Sequence, residues 1–232
     1  MTREPATPAG TELLDARSAD PATARTVLTE VGRTNALFGG HAAVRYGLSL
    51  VADALPSHRP VRVLDVGAGG GDVLAHVQGA LTARGMPVEP VALDHLRTAT
   101  AECRRRGFDA VCADWAVPPL AAGSADLVIA NLVLHHLSRA AVPVFLAQLD
   151  RLAGRAVVIT DLTASRLAGL GLRAAGAVLR FHPDTVGDGV VSLRRGFTPT
   201  ELTALLAGAG IHGATVRRRP GWRIVAAWKA NP

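Results

Sequence analysis

The chain has 232 residues, 49% of them hydrophobic, and a formal net charge of +6 at pH 7. This length suits one sizeable domain, alone or with a small cap, and the apolar fraction is ample for a core. All but one of the 25 cationic residues are arginines scattered along the chain. A nucleic-acid partner usually requires a basic patch, so the charge pattern does not favour one.

No stretch has the pattern of a signal peptide, and none supplies about 18 uninterrupted apolar residues. We therefore expect a cytoplasmic protein without a membrane span. The two cysteines, Cys103 and Cys112, fit neither a disulfide framework nor a metal-ligand spacing. We expect a reducing compartment, no bound metal, and both thiols buried as small hydrophobic groups.

The amino-terminal quarter of the chain predicts an arm followed by helices. Residues 1–20 are rich in Pro, Thr, Ala and charge and predict a flexible arm. Helical patterns over 21–33 and 42–54 follow, separated by a pair of glycines. We expect residues 21–60 to form a helical cap before the main domain.

From residue 61 onward, short apolar runs alternate with helical patterns, which is typical of a parallel sheet with helical crossovers. An Arg-Pro-Gly turn near the end predicts an antiparallel hairpin. The fold class is therefore α/β, a Rossmann-like, mostly parallel seven-stranded sheet with an antiparallel C-terminal strand. The predicted strands are 61–67, 90–94, 108–114, 125–133, 155–161, 213–219 and 222–229.

The main domain, 61–232, contains one break in this alternation. Residues 162–197 comprise an apolar segment interrupted by arginines and a predicted loop over 182–196. We expect this insertion to cover an aromatic or polyketide-like substrate, or to form the contact of a homodimer.

The stretch LDVGAGGGD follows the first strand and opens a helix, as a nucleotide-binding glycine loop does. The dinucleotide fingerprint needs glycine at the first, third and sixth positions, but the sixth position after Gly67 is Asp72. Together with Asp65, this residue would place two carboxylates beside a bound pyrophosphate. The loop therefore favours a ligand that carries positive charge.

The loop resembles the first motif of the class I S-adenosylmethionine-dependent methyltransferases, an acidic residue followed by G-x-G-x-G. S-adenosylmethionine has a sulfonium and an ammonium group and no phosphate, as the charge argument requires. The resemblance implies that the loop holds the methionine and ribose parts of this cofactor. The matching residues are Asp65, Gly67, Ala68, Gly69 and Gly71.

Residues at the ends of the second, third and fourth predicted strands extend the resemblance to this family. Asp94 ends the second strand, where the family holds the ribose hydroxyls with a carboxylate, and His95 follows it. Asp114 and Trp115 match the family's adenine-contacting position after the third strand. Asn131 lies near the carboxyl end of the fourth strand, at the ligand edge of a parallel sheet.

Two histidines, His135 and His136, follow the fourth strand. The pattern D-L-V-x-x-N-x-x-L-H-H-L is similar to the fourth motif of ubiquinone-biosynthesis-type methyltransferases. It also aligns His135 with the histidine of larger small-molecule O-methyltransferases that deprotonates a phenol. The resemblance implies a catalytic base at His135, with His136 as the second candidate. The alternative is that either ring bonds a backbone carbonyl and only shapes the loop.

The sequence therefore predicts an S-adenosylmethionine-dependent methyltransferase acting on a small molecule. We expect O-methylation of a phenolic, quinone or polyketide-type natural product of secondary metabolism. The alternatives are an NAD(P)-dependent oxidoreductase, a nucleic-acid methyltransferase and a non-catalytic S-adenosylmethionine-binding protein. The candidate substrate contacts lie in the cap and the insertion: Asn35, His41, His182 and Arg194.

Overall fold

The computed structural model describes residues 21–230, and the arm predicted over 1–20 lies outside them. One seven-stranded sheet in the order β3-β2-β1-β4-β5-β7-β6 forms the centre. β7 runs antiparallel to its neighbours β5 and β6, whereas the other pairings are parallel, which confirms the predicted fold class. The strands are β1 (Val61–Val66), β2 (Val88–Asp94), β3 (Asp109–Cys112), β4 (Ala125–Asn131), β5 (Ala153–Leu162), β6 (Thr215–Arg219) and β7 (Arg223–Lys229).

Eight α-helices surround this sheet in the described part of the chain. The two cap helices are longer at their facing ends than the sequence predicts, so only a tight turn at Phe38 and Gly39 separates them. The helices are α1 (Pro21–Leu37), α2 (Gly40–Val51), α3 (Asp72–Thr82), α4 (Arg97–Arg105), α5 (Val142–Leu152), α6 (Arg166–Leu179), α7 (Pro183–Arg195) and α8 (Pro199–Gly208).

Both faces of the sheet are covered by hydrophobic clusters. Successive strand residues point to opposite faces, so Val63 packs on the face covered by α2, α3 and α4, and Leu64 on the face covered by α5 and α8. A strand buried on both faces has apolar residues at successive positions, and these apolar runs are what predicts the strands in the sequence.

The predicted loop over 182–196 is wrong, because residues 183–195 form α7. His182 caps this helix and Pro183 occupies its first turn. One of the glycines that suggest a loop is a contact point between helices, since a Cβ at Gly189 would lie 2.5 Å from the Leu172 side chain of α6. The expected burial of Cys112 is also wrong, since its thiol is exposed on the edge strand β3.

The cap and the insertion meet above the carboxyl ends of the parallel strands. The backbone amide of His182 donates to both carboxylate oxygens of Glu30 in α1, at 3.0 and 2.9 Å. The Arg33 guanidinium lies 5.1 Å from the centroid of the Phe181 ring. These contacts hold α1 against the start of α7, so the two segments close over the ligand edge of the sheet together. None of the helices between residues 21 and 230 is long and apolar enough to cross a bilayer.

Candidate active site

A cavity of about 800 Å³ lies at the carboxyl edge of the sheet. Its floor is formed by the glycine loop after β1 and by the ends of β2, β4 and β5. Helices α1, α6 and α7 and the turn between β6 and β7 supply the walls. Ligands of open parallel sheets bind at this edge, so the cavity occupies the expected place.

The glycine loop has the backbone shape that requires glycine. Gly67, Gly69 and Gly71 have φ values of 74°, 53° and 75°, which side-chain-bearing residues rarely adopt. A Cβ at Gly67 would also lie 2.5 Å from a methyl group of Val133. Gly67, Ala68 and Gly69 line the cavity, whereas Gly71 lies just behind them as the N-terminal cap of α3.

Asp65 places a carboxyl group in the cavity wall with no hydrogen-bond partner. The residue is 1% exposed, and neither of its carboxyl oxygens has a partner among residues 21–230. Burial, followed by the charges of Asp72 and Asp94, raises the pKa of Asp65 well above its ordinary value. A cationic group bound beside it would satisfy these oxygens and reverse the shift.

Asp94 holds the glycine loop and the next turn together. One oxygen accepts from the Gly69 amide and the other from the Leu96 amide, both at 2.9 Å. Its side chain is 8% exposed and lines the cavity, and the His95 ring lies 3.6 Å away. The carboxylate is therefore fixed at the end of β2, where a ribose hydroxyl can reach it.

Asp72 turns toward the cap helices. Its Oδ2 accepts from the Asn35 carboxamide at 3.0 Å and lies 3.3 Å from Nε2 of His41. Burial by itself would raise the pKa of Asp72, but the hydrogen bonds from His41 and Asn35 lower it below its ordinary value. The ionised carboxylate beside the start of α3 opposes a phosphate there, as expected from the sequence.

The end of β3 supplies an aromatic wall. The Trp115 ring packs edge-on against Phe145, with centroids 5.0 Å apart, and lines the cavity. Asp114 is exposed at the cavity rim, and its side chain accepts from the Ala116 amide at 3.0 Å.

His135 lines the cavity and forms a buried pair with Asp161. Nδ1 of His135 lies 2.7 Å from Oδ1 of Asp161, and the two side chains are 3% and 0% exposed. Asp161 also accepts from the amides of Leu134 and Leu162. Burial by itself would raise the pKa of Asp161, but the charge and hydrogen bond of His135 lower it below its ordinary value.

The other polar residues at the end of β4 are close by. The His136 ring lies beside that of His135, with centroids 4.2 Å apart, and both rings line the cavity. Asn131 lines it as well, and its carboxamide oxygen accepts from the Thr160 hydroxyl at 2.6 Å. The four polar side chains Asn131, His135, His136 and Asp161 thus gather at the ends of β4 and β5.

Three carboxyl groups around the glycine loop, those of Asp65, Asp72 and Asp94, fit a cationic ligand. The unpartnered Asp65 oxygens suit the ammonium of S-adenosylmethionine, and the fixed Asp94 carboxylate suits its ribose. Within residues 21–230, no group of three or more His, Cys, Asp or Glu side chains is arranged to hold a metal ion.

Known proteins share a methyltransferase domain and this fold with the chain. Residues 63–169 match a family model described as a methyltransferase domain. Human N-acetylserotonin methyltransferase (ASMT), solved in complex with SAM, is similar with a TM-score of 0.66 and 15% identity, over 95% of this chain and 59% of that one. Magnesium protoporphyrin IX methyltransferase (ChlM) from Synechocystis PCC 6803, with bound SAM, has a TM-score of 0.58 and 14% identity, over 97% and 100%. The CurJ carbon methyltransferase has a TM-score of 0.57 and 14% identity, over 78% and 51%.

Residues 63–169 form a methyltransferase domain, and the chain has the fold of the class I S-adenosylmethionine-dependent methyltransferases. The family model and the glycine loop carry that identification, because the low identities to the solved structures show the fold alone. No curated protein matches the sequence significantly. The chain spans little more than half the length of the human and CurJ proteins. S-adenosylmethionine is the cofactor, so the nicotinamide alternative falls away.

The four candidate substrate contacts of the methyltransferase are not brought together. Asn35 lines the cavity, but its carboxamide donates to Asp72. His41 stacks on His76 behind α3, with centroids 4.2 Å apart, and His182 caps α7. Neither these two histidines nor Arg194 is among the residues that line the cavity. Substrate contact by these residues stays a prediction.

Sequence reasoning missed two residues of the site, Asp161 and Arg223. Asp161 ends the predicted fifth strand, and a carboxylate at the carboxyl end of a parallel strand was the signal that could have found it. Arg223 lies at the start of β7. No local signal separates it from the other arginines, since its position depends on strand pairing.

Proposed function

We propose that this methyltransferase transfers a methyl group to a hydroxyl oxygen of a small aromatic acceptor, with His135 as the general base. Phenolic, quinone and polyketide-type compounds are the acceptors that the proposal covers. The observation that carries it is the 2.7 Å contact between His135 Nδ1 and Asp161 Oδ1, in the wall of the cavity that also contains the glycine loop.

The pair suits the removal of a proton from a hydroxyl group. A carboxylate that accepts from Nδ1–H fixes the neutral tautomer in which Nε2 is the basic nitrogen. Asp161 remains ionised because its pKa is lowered, so it also stabilises the imidazolium that forms when His135 takes the proton. When bound, S-adenosylmethionine supplies an electrophilic methyl group on a sulfonium, which leaves as a neutral thioether.

The remaining cavity walls are largely apolar, which suits a small apolar acceptor better than the charged backbone of a nucleic acid. The cap contributes Val27, Val31 and Phe38, and the insertion contributes Leu172 and Leu193. An apolar enclosure excludes water and orients the acceptor, which is most of what methyl transfer requires from a protein. A role in natural-product metabolism in the cytoplasm and the absence of a nucleic-acid partner belong to the same proposal.

The test is methyl transfer from isotopically labelled S-adenosylmethionine to a panel of phenols, hydroquinones and hydroxylated polyketides, with products identified by NMR. The label should appear on oxygen. His135→Ala should lower kcat by about 100- to 10,000-fold, the range for loss of a general base, while the Kd for S-adenosylhomocysteine is retained. The loss should shrink at high pH, because a phenol then ionises without help.

His136→Ala is the matched control, since it removes the neighbouring ring but leaves the contact with Asp161 intact. Asp161→Asn should also lower kcat, because a neutral carboxamide no longer stabilises the imidazolium that forms on His135. A label on carbon would refute O-methylation. Equal activity of wild type and His135→Ala across the pH range would remove His135 from the mechanism.

A further inference from the structure

Arg223 is a buried cation in the wall of the cavity. It is 3% exposed and lies at the start of β7, opposite Leu162 at the end of β5. Among the residues of the described chain that line the cavity, it is the sole arginine or lysine, although the full sequence has 25 such residues. Burial lowers the pKa of Arg223 to about 10, which leaves the guanidinium charged at neutral pH.

The guanidinium is poorly satisfied by the protein itself. Nε donates to the backbone carbonyl of Phe38 at 3.4 Å, and Nη1 has no hydrogen-bond partner among residues 21–230. A buried donor without a partner is unfavourable, and a guanidinium binds carboxylates through two parallel hydrogen bonds. The nearest acid along the strands, Asp161, already accepts from the His135 ring and from two backbone amides.

We infer that Arg223 binds a carboxylate carried by the methyl acceptor, so that the acceptors of this enzyme are aromatic hydroxy acids. Arg223 and His135 both line the cavity: β7 pairs Arg223 with Leu162, the residue after Asp161, and His135 contacts Asp161 directly. An acceptor whose acid group binds Arg223 and whose hydroxyl reaches His135 would span the part of the cavity between these two residues. This assignment rests on the proposed function for the identity of the reacting hydroxyl group.

The carboxylate in the methionine part of the cofactor is the other anion that Arg223 could bind. The cofactor's ammonium and carboxylate are attached to one carbon, so they bind close together. Asp65, the unpartnered acid suited to the ammonium, belongs to β1, and β4 and β5 lie between β1 and β7. Three strand spacings of about 4.8 Å separate the backbones of β1 and β7, which favours the acceptor over the cofactor at Arg223.

The experiment is calorimetry with salicylate and its neutral analogue salicylamide, titrated into the enzyme saturated with S-adenosylhomocysteine. Wild type should bind salicylate at least about 10-fold more tightly than salicylamide, as expected for one charge-assisted contact. Arg223→Gln should lose this preference, and Arg223→Lys should keep part of it. Arg218→Gln, an exposed position on the same hairpin, should behave as wild type.

Several results would overturn the assignment. Equal affinity of wild type for the two probes, or no measurable binding of either, would refute it. A preference that persists in Arg223→Gln would also refute it. A Kd for S-adenosylhomocysteine that weakens in Arg223→Gln as strongly as salicylate binding would assign the residue to the cofactor instead.

Methyl transfer is measured separately, so the two proposals fail independently. Salicylate preference without transfer to oxygen would refute the proposed function but support the anion site. Methyl transfer to neutral phenols without a preference for salicylate would support the proposed function but refute the anion site at Arg223.

Discussion

Asp65 makes the stability of the cofactor-free enzyme depend on pH in a predictable direction. Its pKa is raised in the folded chain, so the folded state holds a proton that the unfolded chain releases above about pH 3.9. The free energy of unfolding should therefore fall as the pH rises from that value to the folded pKa. The slope for one such group is at most about 1.4 kcal/mol per pH unit.

Asp65→Asn removes this titration while preserving the size of the side chain. We expect the variant to gain stability relative to wild type as the pH rises, and the difference to level off above the folded pKa of Asp65. Urea unfolding of both proteins without cofactor, between about pH 5 and 8, measures the difference, because titrations common to both proteins cancel. Asp109→Asn, at an exposed position of β3, is the control and should show no such trend.

Asp65→Asn should also bind S-adenosylmethionine more weakly, because the ammonium of the cofactor loses its carboxylate partner. Wild-type affinity should rise with pH as Asp65 ionises, and the affinity of the variant should lack this dependence. Parallel stability curves for wild type and Asp65→Asn would refute the assignment of a raised pKa to this buried, unpartnered acid. Unchanged cofactor affinity would refute its role as the ammonium partner.

Two further variants test the cofactor site. Asp94→Ala should weaken binding of S-adenosylhomocysteine by roughly 10- to 100-fold, the value of one or two hydrogen bonds to a carboxylate, and unchanged affinity in calorimetry would exclude Asp94 as the ribose ligand. Gly67→Ala should lower the free energy of unfolding by roughly 1–3 kcal/mol in urea, because φ is 74° and the new methyl group would lie 2.5 Å from Val133. Gly85→Ala, with φ of 76° and open space around the glycine, isolates the conformational part of that loss, so an equal loss in both variants would refute the steric contribution.

Much of the fold and the cofactor end of the site could be predicted from short stretches of sequence. The glycine loop places Asp65 and Gly67 two residues apart, so their relation to each other is decided locally. Strands buried on both faces give apolar runs that stand out from the helices between them. The insertion was harder to predict, because the glycines of α7 resemble loop residues, and only the packing of α6 explains why Gly189 is a glycine.

The acceptor end of the site could not be predicted in the same way. His135 and Asp161 are 26 residues apart and meet because β4 and β5 pair in parallel, with Asn131 opposite Thr160. Arg223 reaches the same place from the antiparallel β7.

The sequence by itself thus determined the fold class, the cofactor and the ligand edge of the sheet. These follow from residue patterns within single strands and turns, where neighbours in sequence are neighbours in space. The tertiary structure decided that His135 meets Asp161 and that Arg223, among many arginines, lines the cavity. Those facts depend on strand register and long-range packing, because residues far apart in the chain become adjacent only when the sheet is assembled.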